Sequence, residues 1–179
     1  MKKISIAIAT FNEEKNIGRC LKSVADWTDE IVLVDGSSKD KTVDVAKKFN
    51  AKIVVTDNPS IFHINKQKAI DACSFEWILQ LDADEVVTKE LKDEILEIVR
   101  HEAIGTRQQI NGYWIPRKNF FLGKFLTKGG QYPDFSLRLY KRGKGRLACR
   151  SVHEQAVVEG KVDYLKNPLL HFPYADFAE

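Results

Sequence analysis

Glu76-Trp77-Ile78-Leu79-Gln80-Leu81-Asp82-Ala83-Asp84-Glu85 is an apolar run that ends in three carboxylates. Trp77 to Leu81 has the character of a buried strand. A strand ending in Asp-x-Asp sets two hard oxygen ligands at the carboxyl edge of a sheet, a pair suited to Mg²⁺ or Mn²⁺. The same residues also fit an acidic turn that caps the next helix. The surrounding chain decides between the two.

Upstream, Ile4 to Ala9 carries Ile at every second position and reads as a buried strand. Thr10-Phe11-Asn12-Glu13-Glu14 follows as a loop, with Asn12 as a helix N-cap and the two glutamates in the first turn. Ile17, Cys20, Leu21 and Val24 then recur at helical spacing. Glu30 to Val34 is a second strand, closed by the turn Asp35-Gly36-Ser37-Ser38. A helix opens at Asp40-Lys41-Thr42, a third strand spans Lys52 to Thr56, and a further helix runs about Ile64 to Cys73. Thr88 caps a helix whose apolar face is Leu91, Ile95, Ile98 and Val99.

This β-α alternation predicts a parallel α/β sheet with right-handed crossovers. Ligands of such sheets bind outside the carboxyl ends of the strands. Those ends are Thr10 to Glu13, Asp35 to Ser38, Asp57-Asn58 and Asp82 to Glu85, all polar. The acidic pair therefore stands where a ligand is expected.

After Gly105 helical periodicity stops, and the second half reads as loop-rich α+β. Asn111 to Pro116 predicts a strand ending at the proline. Ser136 to Tyr140 predicts another, as do Leu147 to Val152 and Gln155 to Val158. Phe120, Phe121 and Phe125 around Gly123 read as core or as an interfacial patch. The chain stops at Glu179, soon after Phe172, Tyr174 and Phe177, like an amphipathic element cut short.

Composition narrows the class. The chain is 44% apolar and 30% charged, as in a soluble globular domain. Its net charge of +3 is uneven: residues 107–150 hold eleven Lys/Arg against one acid, a net +10, which leaves −7 on the rest. That asymmetry predicts an anionic partner for the second half. Cys20, Cys73 and Cys149 have no disulfide or metal spacing, so a reduced, cytoplasmic location is expected. No stretch approaches the ~20 apolar residues of a membrane span, so any membrane contact is peripheral.

Several ligand classes drop out. The first loop has no glycine, against a dinucleotide site, and the chain has no P-loop, no Gly-x-Ser-x-Gly and no His-Glu-x-x-His. A nucleotidyltransferase would want a glycine-rich, Arg-bearing first loop, and no nucleic-acid recognition motif accompanies the basic segment.

Ile-Ala-Ile-Ala-Thr-Phe-Asn-Glu-Glu (6–14), Ile-Val-Leu-Val-Asp-Gly-Ser-Ser-Lys-Asp-Lys-Thr (31–42) and Leu-Gln-Leu-Asp-Ala-Asp-Glu (79–85), in this order and spacing, resemble a family 2 glycosyltransferase with the GT-A fold. Arg138 to Arg142, Ser151 to Glu154 and Leu169 to His171 resemble a branch that includes lipopolysaccharide core glycosyltransferases. The resemblance implies one domain over 1–179, with residues 1–104 binding the nucleotide-sugar and 105–179 the acceptor.

It also implies transfer from a UDP-sugar, with inversion and with Mn²⁺ or Mg²⁺, to a saccharide or phosphorylated lipid-linked acceptor at the inner face of the cytoplasmic membrane. By position, Thr10, Phe11 and Glu13 line the nucleoside pocket, Asp35 meets the base, and Lys66 or Lys68 meets the donor. Asp82 and Asp84 border the ribose and bind the metal, Asp84 as the stronger ligand, with His171 as a further one. The family's usual Glu-Asp pair for the general base is absent. Glu154 is the first choice for that role and Asp134 the second, with His153 beside Glu154. Arg117, Lys118, Lys124, Lys128, Arg138 and Arg142 are expected to face a phosphorylated acceptor at the membrane. The alternative is a non-catalytic domain of the same fold that only binds the nucleotide-sugar.

Overall fold

Ile4–Thr10, with isoleucine at alternate positions, forms β1, and β1 pairs in parallel with a strand on each side. One neighbour is β2 (Glu30–Asp35) and the other β4 (Trp77–Asp82). The computed structural model describes residues 3–103, 109–151 and 155–173. Register brings the carboxyl ends of the three strands level: Thr10 lies opposite Asp35, and Ala9 opposite Asp82. With β3 (Lys52–Val55) outside β2, the order is β3-β2-β1-β4. The order reverses between β1 and β4, which opens a crevice beyond their carboxyl ends.

Helices cover both faces, which is why the central strands are apolar on both sides. On one face α1 (Ile17–Lys22), α2 (Thr42–Lys47) and α4 (Lys89–Ala103) pack on Ile4, Ile6, Ile8 and Leu33. On the other, α3 (His63–Asp71) packs through Ala69 and Ile70 on Ala7, Val32 and Val34. Each fully buried aliphatic side chain contributes about 1.5–3 kcal/mol, so this two-sided core dominates stability. No helix among the described residues is long and apolar enough to cross a membrane.

The second half extends the same sheet with mixed pairing. Next to β4 runs β8 (Asp134–Lys141), antiparallel, and then β6 (Gly112–Phe121), antiparallel to β8. β12 (Leu169–His171) pairs in parallel with β6, and β5 (Glu85–Val87) closes the order, antiparallel to β12. β7 (Lys124–Phe125) makes a hairpin with β6, and β11 (Val162–Tyr164) pairs with the start of β6. β9 (Gly145–Arg146) and β10 (Val157–Val158) form a separate two-stranded sheet.

Several local expectations need correction. Asn12 does not cap α1: it has φ 55°, its Oδ1 accepts from the Lys39 amide, and the helix starts at Ile17. Pro116 does not end its strand. It falls in the gap along β6 between the partners β11 and β12, where the ladder on that side is interrupted. Residues 147–151 form no strand; the pairing sits at Gly145–Arg146. Phe120 and Phe125 join neither main core but pack with Phe172 at the sheet edge, and Phe121 is exposed. Glu85–Val87, directly after the acidic pair, forms a further strand that the periodicity did not mark.

Candidate active site

A cleft of about 320 Å³ lies at the crevice between β1 and β4, lined among others by Thr10, Phe11, Glu13, Lys66, Asp84 and His171. Its floor is made rigid by two loops that latch onto each other. The Asn12 amide donates to Ser38 Oγ at 2.8 Å and the Glu13 amide to Thr42 Oγ1 at 2.7 Å. In return the Lys41 amide donates to Glu14 at 2.9 Å. Beneath them Asp35 is buried and accepts from Thr10 Oγ1 (3.1 Å), Ser38 Oγ (2.6 Å) and the Ser38 amide (2.8 Å). Phe11, 41% exposed, offers an apolar face to a planar ring. Burial, helped by Asp84 and Asp82 and opposed by a hydrogen bond from Asn16, raises the pKa of Glu13.

The acidic motif divides by side-chain direction. Ala83 points into the core, so Asp82 and Asp84 emerge on either side of it. Both oxygens of Asp82 are occupied: Lys66 pairs with Oδ1, and Arg138 Nη2 donates to Oδ2 at 2.6 Å. Burial alone would raise the Asp82 pKa, but Arg138 and Lys66 together overcome it and hold the carboxyl far below its usual range. Arg138 also donates to Glu85 Oε1 at 2.9 Å, and Glu85 Oε2 accepts from the Asp82 amide at 2.8 Å. Glu85 is fully buried, and that burial raises its pKa despite Arg138.

Asp84 faces a different partner, His171, whose Nε2 lies 3.1 Å from Asp84 Oδ2. His171 Nδ1 lies 2.7 Å from Asn119 Oδ1, and Asn119 Nδ2 donates to Asp134 Oδ2 at 3.3 Å. Arg117 grips the same oxygen through Nε (3.0 Å) and Nη2 (2.7 Å). Burial pushes the Asp134 pKa up, and Arg117, helped by Asn119 and His171, more than reverses it, leaving it lowered.

These residues bear on whether a divalent cation fits. Among the described residues no group of three or more His, Cys, Asp and Glu is arranged to hold a metal alone. Asp84 and His171 do converge, and a histidine whose second ring nitrogen is held by an amide carbonyl has the outer-shell support usual for a ligand. Two protein ligands, completed by diphosphate and water oxygens, suit Mg²⁺ or Mn²⁺. The fit is thus to Asp84 and His171, with Asp82 already neutralised by Lys66 and Arg138.

The structure brings together Thr10, Phe11, Glu13, Lys66, Asp82, Asp84 and His171 around one cleft. Asp134 belongs to the hydrogen-bonded chain behind His171. Lys68 stands apart, donating to Thr56 and Asp57 at the end of β3. Glu154 and His153 lie outside the described residues. Arg138 and Arg117 do not belong to an outward basic face: Arg138 is 7% exposed and both are tied to carboxylates inside. Arg142, Lys124 and Lys128 are exposed. Glu85 and Asn119 were not anticipated. Alternation with Leu137 and Leu139 puts Arg138 on the opposite face of its strand, and the sequence alone carries no signal that this face is buried against Asp82 and Glu85.

The sequence profile of Glycosyl transferase family 2 matches residues 5–156. The uncharacterised glycosyltransferase RT0209 of Rickettsia typhi (strain ATCC VR-144 / Wilmington) is 43% identical over 169 residues, 92% of this chain and 56% of that protein. The lipopolysaccharide core biosynthesis glycosyltransferase LpsC of Rhizobium meliloti (strain 1021) is 31% identical over 179 residues, 94% of this chain and 63% of that protein. The chain thus spans somewhat over half the length of these two curated relatives. Among solved structures, S. aureus TarS 1–349 shares the GT-A fold at 19% identity, with a TM-score of 0.65 over 95% of this chain and 60% of that one. Its complex with UDP-GlcNAc aligns at 26% identity with a TM-score of 0.52, over 70% of this chain and 37% of that one.

Proposed function

This chain belongs to glycosyl transferase family 2, and from that premise we propose that it is an inverting, metal-dependent transferase of a sugar from a UDP-sugar. The acceptor we propose is a saccharide or phosphorylated lipid-linked glycan of cell-envelope polysaccharide or lipopolysaccharide core synthesis. The work is done in the cytoplasm, at the inner face of the membrane. The likeness to LpsC and to the UDP-GlcNAc complex of TarS supports this choice of pathway and donor. The observation that carries it is one cleft at the β1/β4 crevice that joins Lys66 on one wall to the Asp84–His171 pair on another.

In this reading the chain 1–179 works as one domain, its first half taking the donor and its second the acceptor. Phe11 and Thr10 bound the nucleoside, and Asp35, held by Ser38 and Thr10, meets the base. Lys66 donates to the diphosphate while Asp82 fixes its position. Asp84 and His171 would hold Mn²⁺ or Mg²⁺, which would supply positive charge against the leaving diphosphate. Glu154 deprotonates the acceptor hydroxyl, and Asp134, made weakly basic by Arg117, acts behind His171.

The test is a thermal-shift and calorimetric screen of UDP-sugars with and without Mn²⁺, on this chain and on Asp84→Ala. Stabilisation that needs both ligands and is lost in the variant is expected. Binding that survives chelation and the substitution overturns the metal assignment. Donor binding without transfer to any acceptor, in the full-length protein, would instead select the binding-module alternative.

A further inference from the structure

Asp134, Asn119 and His171 stand in line across three strands. Arg117 and Asn119 are two apart on β6 and so share a face. Register sets Asp134 of β8 opposite Arg117, and His171 of β12 opposite Asn119. We propose that Asn119, itself oriented by Asp134, is a positioning residue that keeps the His171 proton on Nδ1 and the Nε2 lone pair turned toward Asp84. The inference deepens the metal reading above and rests on it only for its purpose.

The direction of every hydrogen bond in the line follows from its first member. Asp134 is clamped by two nitrogens of Arg117 and is a carboxylate, which only accepts. The end of the Asn119 amide that faces it, at 3.3 Å, is therefore Nδ2. The other end, Oδ1, faces His171 Nδ1 at 2.7 Å and can only accept, so Nδ1 carries the proton. In the neutral ring Nε2 is then an acceptor, 3.1 Å from another acceptor, Asp84 Oδ2. Two acceptors converging on the cleft present a two-point seat for a cation. With the opposite tautomer Nε2–H would donate to Asp84 and close that seat. Outer-shell partners of this kind change metal affinity by about 10–100-fold.

Long-range ¹H–¹⁵N spectra of histidine-labelled, metal-free protein at alkaline pH read the tautomer directly. Wild type is expected in the Nδ1–H form. Asn119→Leu, which offers no acceptor, is expected to shift the ring to Nε2–H and to weaken Mn²⁺ binding in the presence of UDP about 10–100-fold by electron paramagnetic resonance. The exchange Asn119→Asp/Asp134→Asn restores an acceptor toward the ring and should restore both readouts. Asp134→Asn alone, nearly isosteric, provides a second route if the leucine variant does not fold, and should give a mixture of tautomers. A purely structural role for Asn119 would leave the tautomer unmoved. Nε2–H in the wild type, or an unchanged tautomer in whichever of the two variants folds, overturns the proposal. Nδ1–H in a wild type that binds no Mn²⁺ would leave the positioning role standing and sink the metal reading instead.

Discussion

Arg138 donates to Asp82 at 2.6 Å from β8, the strand that runs antiparallel to the one carrying Asp82. This contact joins the basic second half of the chain to the acidic motif of the first. It also gives the two aspartates of that motif different work, one neutralised by protein cations and one left to the cleft.

Replacing Arg138 by Met removes the shared partner of two carboxylates. Loss of one side of a buried ion pair costs about 3–5 kcal/mol, so a clear drop in the urea midpoint is expected. Both Asp82 and Glu85 would then have higher folded pKa values than in the wild type, since Arg138 lowers each. The folded variant binds more protons, so its deficit should be widest near neutral pH and narrow toward pH 4. A deficit that widens on acidification would contradict the assignment of charges.

Lys66 and Lys68 are two residues apart on one helix but end at different places. Lys66→Met should weaken UDP binding about 10–100-fold, the worth of a charge-assisted hydrogen bond, whereas Lys68→Ala should leave it within about twofold. Titration calorimetry of the two variants checks this, and equal effects would remove Lys66 from the donor site.

For the base, Glu154→Gln should lower kcat about 10²–10⁴-fold, the usual contribution of general-base catalysis. Asp134→Asn should lower kcat less and act mainly by raising the Mn²⁺ concentration required. If Asp134→Asn takes the larger loss in kcat at saturating Mn²⁺ and Glu154→Gln takes little, Asp134 is the base instead.

Gly145→Ala should destabilise the fold without touching the cleft. An added Cβ would come within 2.3 Å of the ring of Tyr140, which is fully buried. Overpacking of this kind costs about 1–3 kcal/mol or more. In a Tyr140→Leu background the penalty should shrink, and a double-mutant cycle by chemical denaturation measures the difference. Additive costs would mean that the ring is not what the new methyl meets.

The first half was legible because its periodicities are local. Isoleucine alternation marked β1, the Leu91-Ile95-Ile98 stripe marked α4, and polar residues at the strand ends marked the cleft. Thr88 caps α4 as its position suggested, with Oγ1 accepting from the Leu91 amide at 3.1 Å. The second half was less legible because its decisive partners are remote in sequence. Arg138 meets Asp82 across 56 positions and His171 meets Asp84 across 87. A count of charges sees Arg117 and Arg138 as surface basicity, since only the register of β6 and β8 turns them inward. Pro116 misled because a strand tolerates proline wherever its ladder is interrupted, and that depends on where β11 ends and β12 begins.

The short strand β5 has one ladder partner among the described residues, β12, and that pairing sets His171 opposite Glu85. A ribosome releases β5 about eighty residues before it releases β12, a gap of several seconds at ordinary synthesis rates. For that interval the growing chain holds the loops after β1 and β2 but lacks His171. The contact between Asp84 and His171 is therefore made late, and a chain interrupted before β12 would lack it. Completion of the site thus reports that the sheet has closed.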